Sequence, residues 1–171
     1  MTVDPEGHVS PVPRDARPYQ GQPAGVVTRL VAAVLDALVV GIVLLGGYFG
    51  LAGLIFLVHP RGFSFPELGL FFSLTSAFAV AFVYLTVFWT LSGRTYGYLV
   101  MGLRVVGVNG RRLGLAGAAA RAFLVLLLPI GVFWVPVGRG NRSLQDLAVR
   151  THVIYDWQPR GAQDSAPSAA E

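Results

Sequence analysis

Two ionisable side chains stand at the start of the longest apolar stretch of this chain. Arg29 and Asp36 are seven residues apart, which is two helical turns, so both point from nearly the same face of one helix. The uncharged run 37–58 follows directly. An ionised Asp at the middle of a membrane helix costs on the order of 3 kcal/mol on insertion scales. The pair therefore indicates either a site that binds a ligand or exchanges a proton, or polar contacts that hold the helix against a neighbouring element.

Each of the two residues has a structural and a functional interpretation. Arg29 either anchors the helix by extending its guanidinium to the lipid headgroups, or acts as the cation that keeps Asp36 ionised at shallow depth. Asp36 either bonds the backbone or hydroxyls of a neighbouring element, or takes part in binding. A carboxylate held between burial and a nearby cation is suited to exchange a proton or a monovalent cation near neutral pH.

A second carboxylate with this potential, Asp146, lies beyond the last apolar stretch. It is expected to cap a helix, to pair with Arg142 or Arg150, or to join Arg29 and Asp36 in one cluster. We expect Arg29, Asp36 and Asp146 to be close together, because a carboxylate at shallow membrane depth needs a partner. These three residues form the candidate ligand or ion site.

The inventory of reactive side chains argues against an enzyme. No Ser/His/Asp order and no phosphate-cradling glycine loop has convincing spacing. The three histidines, at 8, 59 and 152, are far apart, and cysteine is absent, which rules out disulfides and thiolate metal sites. The sequence predicts a protein that is not an enzyme and that uses neither a cofactor nor a metal.

The composition is that of a membrane protein. Hydrophobic residues make up 54% of the 171 positions and charged residues only 13%, about half the usual share. All thirteen basic residues are Arg, a usage that suggests a GC-rich and bacterial genome. Because these arginines lie at the edges of apolar segments, orientation at a membrane explains them better than nucleic-acid binding. We expect the lipid bilayer of the cell membrane, and no nucleic acid, as the partner.

Three apolar stretches follow one another along the chain. Val26–Val58 is long enough to span about 50 Å as one helix, and 68–91 carries no charge. The third, 122–137, is short and contains Pro129, Gly131 and Pro136; Arg121 at its entry is expected to be an interfacial anchor. The fold class expected is an all-α membrane protein with two full transmembrane helices and a third element that is either broken and re-entrant or fully spanning.

The distribution of arginine distinguishes these two arrangements. If the third stretch crosses the membrane, eight Arg share the side of the N-terminus and five lie opposite. If it turns back at its prolines, twelve Arg share one side and only Arg61 lies opposite. Since Arg is biased towards the cytoplasm, the re-entrant arrangement is favoured, with a multi-pass topology and both termini cytoplasmic.

The remaining segments are predicted from local patterns. Residues 94–104 repeat apolar side chains at helical spacing, which is typical of a short helix on the membrane surface. Asn109-Gly110 predicts a small cytoplasmic β-hairpin over 103–113, and Thr151–Tyr155 predicts a strand that could pair with it. The segments 1–23 and 157–171 are expected to be disordered cytoplasmic tails.

A strip of small residues runs along the first helix. Gly46, Gly50 and Gly53 include one GxxxG spacing, which lets another helix approach closely. The strip is explained either by packing within the chain or by contact with a second copy or a membrane partner.

Three stretches together resemble the RDD family of small bacterial membrane proteins. The first is Ala24-Gly25-Val26-Val27-Thr28-Arg29-Leu30 followed by Asp36 on the same helix. The second is Ser92-Gly93-Arg94-Thr95-Tyr96-Gly97 running into Met101-Gly102-Leu103-Arg104-Val105-Val106. The third is Leu144-Gln145-Asp146-Leu147-Ala148 before Thr151. The resemblance covers about residues 24–156, as one membrane domain.

The resemblance implies which residues matter and which function classes to consider. Arg29, Asp36 and Asp146 match the Arg and the two Asp of the family, for which transport of ions or small ligands has been suggested. Gln145 departs from a position often held by His, and Arg150 replaces a small Gly. Two hypotheses follow: a small transporter that uses the three charged residues, or a scaffold or accessory membrane protein in which they are structural.

Overall fold

The computed structural model describes residues 2–3, 9–10, 20–107, 113–128 and 143–157. Five helices and four strands lie in these ranges. The helices are α1 (Val26–Val58), α2 (Leu70–Leu91), α3 (Tyr96–Val100), α4 (Leu115–Leu127) and α5 (Leu144–Ala148). The strands are β1 (Thr2–Val3), β2 (Val9–Ser10), β3 (Leu103–Gly107) and β4 (Thr151–Tyr155), and a short 3-10 turn covers Pro60–Gly62.

The two long helices are apolar and show most of their surface. Neither contains proline, and at 1.5 Å per residue they extend for about 50 Å and 33 Å. In each, only 11% of the most apolar 18-residue window is buried, whereas the core helix of a soluble protein would be mostly buried. Both helices are long and apolar enough to span a membrane, which fits a membrane protein.

Close packing is concentrated at one end of the long helices. Trp89, near the end of α2, is almost completely buried, together with Ala32 on α1 and Ala118 and Ala122 on α4. The sheet and α3 also contribute residues to this core. The N-terminal half of α1 and the C-terminal half of α2 therefore belong to a compact unit, while their other halves expose Leu, Phe and Val side chains.

Helix α3 touches α1 so closely that only glycine fits between them. A Cβ atom added to Gly97 would lie 2.1 Å from the carbonyl oxygen of Ala32. The Thr95 hydroxyl caps α3 by accepting a hydrogen bond from the Tyr98 N–H at 3.3 Å. Tyr96 and Leu99 on α3 are exposed, and the helix is shorter than the predicted 94–104 because Leu103 and Arg104 belong to β3.

The sheet joins two segments that are distant in sequence. Strands β3 and β4 pair antiparallel, with Leu103 opposite Tyr155 and Gly107 opposite Thr151. This confirms a small two-stranded antiparallel sheet. The predicted hairpin turn at 109–110 lies outside the described residues.

The segment before α1 joins the sheet at the other edge of β4. The N–H groups of Gly21 and Ala24 donate to the carbonyl oxygens of Tyr155 and Val153, at 2.8 and 2.9 Å. The described contacts of this segment with the sheet therefore begin at residue 20, inside the range 1–23 for which the sequence predicts a disordered tail. Strands β1 and β2, in the same range, pair with each other. The backbone of residues 20–24 is ordered because the free edge of β4 offers it hydrogen-bond partners.

The helix that leads into the third apolar stretch begins before residue 122. Helix α4 has 13 residues, about 20 Å, and covers Leu115–Leu127, so Arg121 lies within it. It packs mainly against α2. The prolines at 129 and 136 lie outside the described residues.

The glycine strip of α1 has no neighbour among the described residues. A Cβ atom added at Gly46, Gly50 or Gly53 would have no heavy atom within 4 Å. Packing within the described part of the chain therefore does not explain the strip.

Candidate functional site: two buried carboxylates and the cavity beside them

Asp146 is the centre of a buried ion-pair cluster. Its side chain is completely buried, and its two oxygens form salt bridges with Arg29 Nη1 and Arg121 Nη1. Arg121 Nη1 also donates to Thr151 Oγ1 at 2.6 Å. Asp146 lies in the first turn of α5, where it forms a capping box with Ser143. One carboxylate thus connects α1, α4, α5 and the start of β4.

Two guanidinium groups keep Asp146 ionised. Burial alone would raise the pKa of this carboxyl, but the charges of Arg121 and Arg29 outweigh it and hold the pKa well below its usual range. The Ser143 N–H adds a hydrogen bond to Oδ2 at 3.1 Å. Asp146 is therefore ionised at neutral pH.

Arg121 is part of this cluster, and the expectation that it is an interfacial anchor is wrong. Its side chain is only 2% exposed, and its guanidinium carbon lies 4.9 Å from the centre of the Trp89 ring, a cation–π arrangement. Burial is possible because Asp146 supplies the opposite charge. The sequence signal that was missed is the position of Arg121 within an Ala-rich helix, where a lone charge needs a buried partner.

Asp36 is bound by a different set of groups, all uncharged. Its Oδ1 accepts hydrogen bonds from the Tyr84 hydroxyl and the Gly97 N–H, each at 2.8 Å, and its Oδ2 accepts one from the Thr95 hydroxyl at 2.5 Å. The Tyr84 oxygen in turn accepts the Tyr96 N–H at 3.0 Å. Asp36 therefore connects α1 with α2 and with the loop and helix that follow α2.

The structure brings Arg29 into contact with Asp146, whereas Asp36 lies two turns further along α1. Besides Asp146, Arg29 binds the Ala24 carbonyl oxygen through Nε at 3.2 Å. All three candidate residues nevertheless lie beside one space, because Arg29 and Asp36 line a cavity and Asp146 bonds to Ser143 in its wall.

This cavity has a volume of about 590 Å³ and lies between α1, α2 and α4. Its charged and polar walls are at the end where the ion pairs lie, and its apolar walls extend along α1 and α2. The lining residues include Arg29, Asp36, Leu44, Ala77, Ala81, Tyr84, Trp89, Arg121, Val125 and Gln145. Among the described residues, no group of three or more potential metal ligands occurs there or elsewhere.

Three buried polar atoms of residues that line the cavity have no hydrogen-bond partner in the described structure. They are Trp89 Nε1, Arg121 Nε and Gln145 Oε1. Gln145 uses its other amide atom, Nε2, to donate to the Leu128 carbonyl oxygen at 2.6 Å. Since most buried polar atoms in proteins are bonded, these three distinguish this end of the cavity from ordinary core.

A second ion-pair cluster, which the sequence analysis missed, lies at the end of the sheet. Asp156 is 3% exposed, and its Oδ2 lies 2.6 Å from Arg94 Nη2 and 3.0 Å from Arg104 Nη1. Gln20 Nε2 donates to the other oxygen at 2.9 Å. The sequence did contain a signal for this cluster. Arg94 and Arg104 flank the predicted surface helix, and the acidic residue Asp156 directly follows the last strand and could have been expected to pair with them.

Arg150, which stands where the family pattern has a small Gly, has an unusual backbone conformation. Arg150 has a φ of 53°, the left-handed conformation in which glycine is favoured. It lies between α5 and β4, so the sharp turn there places Asp146 next to Thr151.

The fold and the site define a class: a mostly helical protein with two long, exposed apolar helices, joined at one end to a small sheet by buried ion pairs. The model of the RDD family matches residues 23–150, and the chain belongs to this family. The resemblance seen in the sequence is thereby confirmed. No curated protein and no solved structure matches the chain.

Proposed function

We propose that this protein is a membrane scaffold or accessory protein in which Arg29, Asp36 and Asp146 are structural. The observation that carries the proposal is that each carboxylate binds groups from several elements. Asp146 connects α1, α4 and β4, and Asp36 connects α1, α2 and α3. Because the oxygens of both carboxylates already have bonding partners within the protein, the two residues are better suited to hold these elements together than to pass ions.

The proposed setting is the cell membrane, with α1 and α2 as the two spans and both termini in the cytoplasm. The contact of Asp146 with Arg121 supports a third element that enters and returns. Residue 121 lies on the way into the apolar stretch and residue 146 beyond it, yet the two side chains meet. Irregular backbone at membrane depth is tolerated when other protein elements cover it.

Cysteine labelling tests this topology, because the chain contains no cysteine of its own. Single variants Ser64→Cys and Ser165→Cys are treated with an impermeant thiol reagent in intact cells. Labelling from outside is expected at 64 and not at 165. Labelling of both from outside would replace the re-entrant element with a third full span.

Transport is the second candidate, because Asp36 lines the cavity and is held by uncharged donors. A carboxylate without a bonded cation is suited to bind a proton or a monovalent cation. The transport hypothesis predicts pH-linked cation flux in proteoliposomes that contain only this protein, and its loss in a folded Asp36→Asn variant.

The same flux measurement decides between the two candidates. For a scaffold, we expect no flux from the wild-type protein, while Asp36→Asn and Asp146→Asn lower its thermal stability. Flux in the wild type that disappears in a stable Asp36→Asn variant would reject the scaffold proposal.

We further propose that the glycine strip on α1 is a contact surface for a second copy. It is supported by the open space above Gly46, Gly50 and Gly53 among the described residues. Cross-linking in membranes compares wild type with Gly50→Leu, and we expect the bulky variant to lose the dimer. An unchanged dimer band would reject this surface.

A further inference from the structure

The cavity between α1, α2 and α4 has no role in the proposed scaffold, yet it is too large to be a gap in packing. Side chains in protein interiors leave few voids larger than a water molecule, whereas this space has a volume of about 590 Å³. That volume falls in the range of about 300–1,000 Å³ that is usual for small-molecule sites. The walls therefore indicate which kind of molecule the space accepts.

The charges around the cavity cancel one another. Arg29 and Arg121 carry one positive charge each, and both bind Asp146, which carries one negative charge. Asp36, which lines the same cavity, adds the second negative charge and is bonded by uncharged donors. The three unpartnered atoms described above are buried within the wall, out of reach of a molecule in the cavity. The described walls therefore have no net charge with which to select the head of a ligand.

The walls are apolar over about the thickness of one leaflet of a bilayer. The lining residues of α2 extend from Trp89 to Ala77, which is about 18 Å along the helix. Half of the hydrocarbon core of a bilayer is roughly 15 Å thick. A hydrocarbon chain that runs parallel to α1 and α2 therefore matches both the length and the chemistry of the space. The apolar lining residues include Val40, Leu44, Ala77, Phe78, Ala81 and Leu85.

The cavity opens sideways along α1. Ala33 and Ala37 line it and are exposed, whereas Leu85 and Trp89 line it from α2 and are buried. In the proposed membrane setting, the exposed side of α1 faces the lipid. A chain can accordingly enter from the bilayer without passing through the protein.

We infer that this cavity takes one acyl chain of a phospholipid from the cytoplasmic leaflet, while the head of that lipid stays outside at the membrane surface. The chain lies between Ala81 on α2 and the face of α1 that ends at Leu44. Since the walls are neutral, the charge of the head does not determine binding. The inference rests on the proposed membrane setting, which the labelling at positions 64 and 165 tests separately, and it is independent of whether the protein is a scaffold or a transporter.

Photolabelling in proteoliposomes tests whether a chain enters the cavity. The full-length protein is reconstituted with a phosphatidylcholine that carries a diazirine in one acyl chain, and the labelled residues are identified by mass spectrometry. Leu85 lines the cavity and is 8% exposed, whereas Val83 is 58% exposed and lies outside the lining. Lipid on the outer surface labels Val83, and we expect Leu85 to be labelled as well. Labelling of Val83 without labelling of Leu85 would overturn the inference.

Two matched variants test whether the label at Leu85 depends on the space. Ala81 lines the cavity, whereas Ala79 is exposed and lies outside the lining of the same helix. Ala81→Leu is expected to lower the ratio of Leu85 to Val83 labelling by at least about fivefold, because the larger side chain occupies the place of the acyl chain. Ala79→Leu is expected to change the ratio by less than about twofold. Equal ratios in the two folded variants would reject the cavity as the site, and if Ala81→Leu does not fold, the wild-type ratio decides.

The head is then varied while the chain stays the same. A phosphatidylglycerol with the identical diazirine chain carries a negative charge, whereas phosphatidylcholine has none overall. Because the charges of the walls cancel, the ratio of Leu85 to Val83 labelling is expected to agree for the two lipids within about twofold. A larger difference would show that the protein recognises the head and would contradict binding through the chain alone.

Discussion

Neutralising Asp146 is expected to destabilise the protein more than neutralising either arginine that it binds. In Asp146→Asn, the guanidinium groups of Arg29 and Arg121 stay buried without an opposite charge. Loss of one partner of a buried pair costs about 3–5 kcal/mol, because the remaining charge is uncompensated. The asparagine oxygen can still accept the Ser143 N–H of the helix cap, so the loss reports mainly the missing charge.

The effect of Arg29→Gln is expected to be smaller. Asp146 then keeps its salt bridge with Arg121 and its capping bond with Ser143, and it loses one charged hydrogen bond, worth about 1.5–3 kcal/mol. With Asp146→Asn already present, removing Arg29 also relieves one unpaired charge. The double variant should therefore be more stable than the sum of the two losses predicts, by about 0.5–3 kcal/mol.

A second cycle serves as the control. Arg29→Gln and Asp36→Asn are expected to be additive within about 0.5 kcal/mol, because the three donors to Asp36 are uncharged and come from other elements. The assay is unfolding of each purified variant in mixed micelles with rising SDS fraction, followed by circular dichroism. The pairing of Arg29 with Asp146 would be refuted if the effects of Arg29→Gln and Asp146→Asn on stability add, while those of Arg29→Gln and Asp36→Asn do not.

Four further predictions follow from other contacts. Gly97→Ala should lower the melting temperature strongly, because the added Cβ would lie 2.1 Å from a carbonyl oxygen, whereas Gly46→Ala, with open space around it, should raise helix stability by up to about 1 kcal/mol. Because the pKa of Asp146 is lower in the folded state than in the unfolded state, the ionised carboxylate stabilises the fold fully above about pH 4, and this stabilisation is lost as the pH falls further. Between about pH 5 and pH 3, the melting temperature of Asp146→Asn should therefore fall less than that of the wild type. Arg150→Gly should raise the melting temperature slightly by relieving the left-handed backbone at φ 53°, and an unchanged or lower value would contradict this. Asp156→Asn should separate the end of the sheet from Arg94 and Arg104 and speed amide exchange in β4; unchanged exchange would show that these salt bridges carry no stability.

The long elements could be predicted from the sequence because their signals are local. Val26–Val58 and Thr151–Tyr155 have the bounds that hydropathy and β-branched residues indicate. The start of α4 at Leu115 was not predicted. The small Ala and Gly residues at 116–120 carry a weak hydropathy signal, although the four alanines among them favour a helix and α2 packs against α4.

The pairing of charges could be predicted only in part, because it depends on contacts between distant segments. The expectation of one close cluster is met for Arg29 and Asp146, which form a salt bridge, whereas the expectation that Arg29 is the cation of Asp36 is wrong, because the donors to Asp36 are uncharged. The position of Arg121 as a lone charge in an Ala-rich helix indicates that it needs a partner, but it does not indicate which distant carboxylate is that partner. Likewise, Thr95 and Gly97 become ligands of Asp36 only because α3 folds back against α1.

Helices α1 and α2 pack into the compact unit at just one of their ends, and this affects how related sequences can vary. Beyond Asp36, most side chains of α1 are exposed and are interchangeable with any apolar residue of similar helix preference. Residues near Arg29, Gly97 and Asp146 are instead fixed by charge and by close backbone approach. Relatives should therefore diverge most in the longest and most hydrophobic part of the chain, while a thin layer of polar residues at one end keeps them recognisable.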